Sequence, residues 1–181
     1  EYSFDNRDNA AFPTLGMTTT LKLGYRSSTN DNGKSFGFVT PSLGIAHKLV
    51  PNGRLVLATK WKAHFNLGDD YEFYQAASIG GTDGLRGYRN QRFAGKTSYY
   101  QNTDLRYSFR KMRTGLVPTA VGLFGGFDYG RVWLPNEDSD EWHTSFGGGF
   151  FLNATDVFSM NLSAFNSDDG MRFVFGLGFG F

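Results

Sequence analysis

The residues best placed to do chemistry lie in one stretch, Gly80-Gly81-Thr82-Asp83-Gly84-Leu85-Arg86-Gly87-Tyr88, where a single arginine sits among four glycines. Glycine opens backbone conformations closed to other residues, so a tight excursion is available here and a helix is not expected. Other candidates are weaker. His47, His64 and His143 are scattered without ligand spacing, and the acidic run Glu137-Asp138-Ser139-Asp140-Glu141 lacks the spaced loop of the helix-loop-helix calcium motif. The run reads as a solvated surface loop. No serine-histidine-acid constellation can be assembled from the spacing, and cysteine is absent, which removes disulfides, thiolate metal sites and cysteine nucleophiles together. The sequence therefore supports no catalytic residue, no metal site, no cofactor and no enzymatic activity.

The elements that must position the glycine stretch follow from composition and period. Aromatic residues make up 17% of the chain and glycine contributes 24 of its 181 residues, a pairing that points to β-structure with many turns. The formal charge of +1 gives no electrostatic case for nucleic acid. No run approaches the ~18 apolar residues of a membrane helix, and no basic-then-apolar signal segment opens the chain. The first residue is Glu1 rather than methionine, which fits a mature or trimmed product.

Period-two alternation separates the strands. Met17, Thr19, Leu21, Leu23 and Tyr25 share one face, and Thr20, Lys22, Gly24 and Arg26 the other. Phe36 to Leu49 is less regular and carries Pro41. A tight turn at Pro51-Asn52-Gly53 leads to the clearest strand, with Leu55, Leu57, Thr59, Trp61, Ala63 and Phe65 set against Arg54, Val56, Lys60, Lys62, His64 and Asn66. Beyond the glycine stretch, Tyr99, Thr103, Leu105, Tyr107 and Phe109 oppose Tyr100, Asn102, Asp104, Arg106, Ser108 and Arg110. Ala120 to Trp133, Thr144 to Asn153 and Phe158 to Phe165 follow. The last segment alternates Phe173, Phe175, Leu177, Phe179 and Phe181 with Arg172, Val174, Gly176, Gly178 and Gly180.

Eight strands result, plus a partial one at Tyr2 to Arg7. Short connections (50 to 53, 111 to 117, 154 to 156) alternate with long ones (27 to 35, 67 to 96, 134 to 143, 166 to 170). A soluble β-sandwich binding module would also alternate, but its apolar faces meet another sheet. Here aromatic faces oppose charge-rich faces, and short turns gather at one end. That is the arrangement of a transmembrane β-barrel, in which lipid meets the apolar face and the hydrogen bonds close in a ring. Lys60, Lys62, Arg106 and Arg110 then face the lumen, either tuning a pore toward anions or meeting lumen water and pairing with Asp104.

Four motifs in order carry a resemblance. Gly80-Gly81 followed by Leu85-Arg86-Gly87-Tyr88 resembles the signature loop of the BamA/TamA-like surface-antigen barrels, which include outer-membrane insertases and two-partner-secretion transporters. The opening Phe4-Asp5-Asn6-Arg7-Asp8 with Phe12-Pro13 and Gly16 is similar to that family's strand-turn-strand segment. Phe127-Asp128-Tyr129-Gly130-Arg131-Val132-Trp133 is similar to its aspartate-and-glycine strand, and the aromatic end of the chain to its targeting signal.

The resemblance implies that residues 67–96 form a long extracellular loop folded toward the lumen. Its motif Gly80, Gly81, Leu85, Arg86, Gly87 and Tyr88 would be anchored on the strand of Phe127, Asp128 and Gly130 by an Arg86–Asp128 pair. A guanidinium can hold a carboxylate with two parallel hydrogen bonds. It further implies a C-terminal assembly signal of Gly176, Phe179 and Phe181. Two departures stand out: Gly126 occupies the place of the family's aromatic residue two positions before the aspartate, and Val174 the place of a usual polar residue.

The expected fold is all-β, a single antiparallel transmembrane β-barrel domain over residues 1–181. Family barrels have sixteen strands, and an eight-strand lumen is filled by its own side chains. The eight strands are therefore expected to complete a sixteen-strand wall with a missing half or a second copy; closure alone with the loop outside is the other resolution. The implied location is a bacterial-type outer membrane. Its lipids, the outer-membrane assembly machinery, a second copy and client proteins are the implied partners, and protein insertion or translocation the implied activity. The alternative is a passive pore or membrane anchor.

Overall fold

The computed structural model describes residues 1–27, 35–68, 71–109, 112–113, 118–135, 141–154 and 158–178. Its elements are β1 (Tyr2–Asp5), β2 (Gly16–Arg26), β3 (Phe36–Lys48), β4 (Leu55–Leu67), a 3-10 turn (Phe73–Gln75), β5 (Ala77–Ile79), β6 (Phe93–Gly95), β7 (Thr97–Ser108), β8 (Met112–Arg113), β9 (Pro118–Trp133), β10 (His143–Ala154), β11 (Phe158–Ser167) and β12 (Gly170–Leu177). The eight expected strands are β2, β3, β4, β7, β9, β10, β11 and β12, and the partial one is β1. The Asp31-Asn32-Gly33 loop, Arg110, Asp138 to Asp140, most of the 154–156 turn, Phe179 and Phe181 lie outside the described residues.

One antiparallel sheet runs β1-β2-β3-β4-β7-β9-β10-β11-β12, with β8 paired to β9 alone; β5 and β6 form a separate hairpin inside the long connection. The order follows the chain, as hairpin-linked strands require. Among the described residues β1 and β12 each pair on one edge only. Most long strands meet the ~9–11 residues that a tilted strand needs to cross a bilayer. Pro41 lies within β3 and keeps its register with Leu21. The ladder to β4 is interrupted at Thr40 and Pro41, where proline has no N–H to give; there the Thr40 hydroxyl meets His64 Nδ1 at 2.7 Å instead.

Alternation gives the sheet two unlike faces. Leu23, Tyr25, Phe146, Phe150, Phe173, Phe175 and Leu177 lie exposed on the outer face. The inner face buries Asn66, Ser98, Asp104, Arg106, Asp128, Ser145, Asn153 and Ser163. A water-soluble chain places these classes the other way round; hydrocarbon against the outer face accounts for the inversion.

The inner face is packed by two segments that leave the sheet. The β1–β2 connection inserts Phe12 into a cluster with Phe124, Phe151 and Phe165, its ring 4.9 Å from that of Phe151. Arg106 Nη1 donates to the Pro13 carbonyl at 3.3 Å. The connection is shaped by Asp8, whose carboxylate accepts from the Thr14 N–H (2.8 Å), the Leu15 N–H (3.1 Å) and the Thr14 hydroxyl, and faces Lys48 Nζ at 3.4 Å. Burial pushes the Asp8 carboxyl up, but these donors together hold it below its ordinary value.

Two outcomes are expected. Leu162, opposite Phe150 and Phe175 in the middle of the outer face, tolerates no charge: Leu162→Arg should cost about 2–4 kcal/mol of folding stability in lipid vesicles, measured by urea unfolding. A depressed carboxylate adds stability above its unfolded value near ~3.9 that is lost as pH falls through the lower folded value. The difference in unfolding temperature between the wild type and Asp8→Asn should thus be full above about pH 5 and shrink progressively as the pH falls below the unfolded value.

Candidate functional site

The connection from β4 to β7 lies against the inner face of β7, β9, β10 and β11, and the glycine stretch makes the contact. Gly80 and Gly81 take positive φ (132° and 69°), which lets the Gly81 N–H reach the Leu85 carbonyl at 2.9 Å and the Tyr88 N–H return to Leu85 at 3.1 Å. Leu85 and Tyr88 are fully buried with Ile79 and Tyr100, flanked by Phe93 and Val132. This apolar seat holds Arg86 on the side facing β9.

Arg86 there meets two carboxylates. Asp128 on β9 accepts from the Arg86 backbone N–H (3.0 Å), from Nε (3.1 Å to each oxygen) and from Nη2 (2.6 Å). Asp104 on β7 accepts from the same Nη2 at 2.8 Å. Both carboxylates are completely buried, and Arg106, equally buried, stands 3.9 Å from Asp104. Two acids and two arginines balance the charge where neither sign could be left alone. Burial opposes the Arg86 charge, but Asp104 and Asp128 more than offset it, so its pKa rises above the ordinary arginine value.

Neutral groups complete the setting. The Ser145 hydroxyl on β10 donates to Asp128 at 3.0 Å and accepts from the Gly87 N–H at 3.2 Å. The Phe165 ring on β11 lies 4.1 Å from the Arg86 guanidinium carbon, a cation–π contact. Gly126 explains where the expected aromatic residue went: a Cβ there would stand 2.6 Å from Arg86 Nη2, 2.7 Å from Asp104 and 2.9 Å from the Phe165 ring. The ring comes from β11, and β9 gives it room. Gly87 is equally confined, since a Cβ would come within 2.7 Å of the Ser145 Cβ and 2.9 Å of the Ser167 Cβ.

A second contact holds the start of the stretch. Asp83 accepts from Lys62 Nζ at 2.7–2.8 Å and from the Tyr100 hydroxyl at 2.7 Å. Burial pushes its carboxyl up, yet Lys62 and Tyr100 bring it below the ordinary range. Asn102 donates to the Gly84 carbonyl at 2.7 Å. Gly130 leaves space for Tyr100, because a Cβ there would lie 2.9 Å from the tyrosine Cβ.

The structure thus brings Arg86 and Asp128 together and sets the other residues around them. Phe127 is on the outer face, half exposed and away from the loop. Of the inner cations expected to pair with Asp104, Arg106 stands beside it, whereas Lys62 goes to Asp83, and the nearest cation to Asp104 is Arg86 from the loop. Gly176 faces the Asn161 side chain, whose amide donates to the Gly178 carbonyl at 2.8 Å. His64 bonds Thr40 and Asn66, and His143 stacks on Phe93 at 3.6 Å. Ser145, Phe165 and Tyr100 were not singled out from sequence as site residues. Their inward parity was the one available signal, and it does not say which strand meets the loop.

Arg86→Ala would leave two buried carboxylates to Arg106 alone, a change of about 3–5 kcal/mol by the cost of breaking a buried pair. It should expose residues 80–92 to protease while β2 to β4 remain protected. Gly87→Ala should loosen the same residues, with part of the protection recovered in Gly87→Ala/Ser167→Gly, read by the same digestion.

Residues 14–152 match the family described as haemolysin secretion/activation protein ShlB/FhaC/HecB. Among solved structures the chain is similar to BamA from Haemophilus ducreyi lacking POTRA domains 1–3, with a TM-score of 0.70 and 18% identity over 97% of this chain. The chain spans 41% of the length of that protein, and at this identity the likeness carries the barrel fold alone. No curated protein matches the chain. The family match covers well over half of the sequence, and its wall is that of a BamA-type barrel: the chain belongs to the haemolysin secretion/activation ShlB/FhaC/HecB family, in the superfamily of bacterial outer-membrane transporters and insertases.

Proposed function

We propose that this chain forms half of the wall of an outer-membrane barrel that moves polypeptides across the membrane or inserts them into it, with residues 67–96 as a loop entering the lumen from the extracellular side. The observation that carries this reading is the buried Arg86–Asp104–Asp128 cluster. A loop held on the inner wall by charge occupies the space a substrate would need, yet its ties are polar and can be exchanged. A static plug needs only apolar packing; a buried ion cluster keeps one defined position and is costly to leave half-made.

The second support is the pair of sheet edges at β1 and β12. Unpaired edges are not tolerated in hydrocarbon, so the wall is completed by further strands, from the rest of a longer protein or from a second copy. A seam between the first and last strands would give a client strand backbone groups to pair with. On this reading the partners are outer-membrane lipids, the assembly machinery that installs the barrel and a secreted or membrane-bound client. The expected assembly signal of Gly176, Phe179 and Phe181 belongs to that installation.

The test uses the full-length protein in proteoliposomes with an unfolded, labelled polypeptide on one side. Protease-protected uptake or insertion is expected, falling roughly tenfold or more in Arg86→Ala, the scale of an allosteric coupling. Salt-dependent conductance without any uptake or insertion would overturn the reading in favour of a passive pore. Deleting Phe181 should lower the yield in the outer membrane while refolding in detergent stays near wild type; equal yields in cells would remove the residue from the signal.

A further inference from the structure

Besides the Arg86 cluster and the Asp83 contact with Lys62 and Tyr100, the loop is tied to the hairpin of β11 and β12. Arg172, on the inner face of β12, donates from Nη1 to the Tyr88 carbonyl. The Ser167 hydroxyl at the end of β11 donates to the Gly87 carbonyl at 2.8 Å. The Tyr88 hydroxyl reaches Asp168 at 3.3 Å, and Arg92 Nε reaches Asp169 at 2.8 Å with Nη2 at 3.5 Å from the other oxygen. All of these groups come from three short segments, residues 87–92, 167–169 and 172.

The hairpin is built to transmit a pull. Ser167 pairs directly with Gly170, leaving Asp168 and Asp169 as a two-residue turn, and Gly170 takes φ +102°. Such a turn fixes the register of both its strands, so a force on either aspartate moves them as a unit. β12 has only β11 beside it among the described residues. Its other inward residues, Val174, Gly176 and Gly178, are short and apolar, so Arg172 is the inner side chain with the reach and charge to grip the loop.

We infer that Arg92, Arg172, Ser167, Asp168 and Asp169 form a latch, distinct from the Arg86 cluster, that couples the position of β12 to that of the loop. The two attachments differ in strength. Arg92 is nearly half exposed, and an exposed ion pair screened by solvent holds weakly. The Arg86 cluster is buried and held by short charge-assisted bonds. The hairpin therefore releases first, with the loop still fixed by Arg86. This ordering follows from the contacts alone and does not depend on what the barrel transports.

The test is hydrogen exchange of the full-length protein in lipid nanodiscs, followed on peptides covering residues 79–88 and 170–178. Arg172→Met and Arg92→Asp should each speed exchange of the β12 amides roughly fivefold or more, the lower range of a coupling between sites. Exchange at 79–88 should stay within twofold of wild type, which separates a latch from general unfolding. Asp169→Arg should act like Arg92→Asp, and the double exchange Arg92→Asp/Asp169→Arg should recover the wild-type rate. Unchanged β12 exchange in both single arginine variants would overturn the inference. So would a charge exchange that recovers nothing, or simultaneous loosening of residues 79–88 by Arg172→Met.

Discussion

Two carboxylates with no solvent contact, Asp104 and Asp128, set the terms for the middle of this sheet. Burying an unpaired acid is far costlier than any single packing defect, so each needs a cation brought to it. β7 supplies Arg106 from the wall itself, close to Asp104. The remaining cation has to arrive from outside the sheet, and the β4–β7 connection delivers it as Arg86. Glycine at 126 leaves space for the guanidinium, Phe165 covers its flat side, and Ser145 serves both Asp128 and the Gly87 N–H. Substituting any of these supports disturbs the same charges.

The wall and the loop are stabilised by different physics. The sheet is a ladder of backbone bonds with an apolar outer face, and its burial is completed by hydrocarbon. The inner contacts are hydrogen bonds and ion pairs in a confined polar space, where each carries more weight than it would in bulk water. A loop bound in this way is specific in position without being welded in place. The apolar seat of Leu85, Tyr88, Ile79 and Tyr100 sets its depth, and the charges set its rotation.

Much of this architecture is legible in the sequence because the side-chain period of a strand is two. The outward and inward sets on β4 and β7 could be read directly, including the inward placement of Asp104 and Lys62. Pro41 made β3 look irregular, and the structure shows its cost confined to one edge of the strand. The site was harder to read. Arg86 and Asp128 were joined by resemblance to a known family; spacing alone does not connect residues so far apart in the chain. Ser145 and Phe165 reach the cluster through the registers of β9 with β10 and of β10 with β11, which pair Asp128 with Ser145 and Gly147 with Phe165. Register depends on strands already being paired, so parity could not reveal it. The β5–β6 hairpin escaped for a related reason: three-residue strands carry too little alternation to be seen.

The empty side of Gly126 has a consequence for how related chains can vary. Positions 126 and 165 share a single volume beside the Arg86 guanidinium, and it holds one ring. An aromatic side chain at position 126 would meet the Arg86 guanidinium, the Asp104 carboxylate and the Phe165 ring together. With the Phe165 ring in place, position 126 has no space for a side chain. Aromatic cover of the arginine belongs to the cavity rather than to either strand.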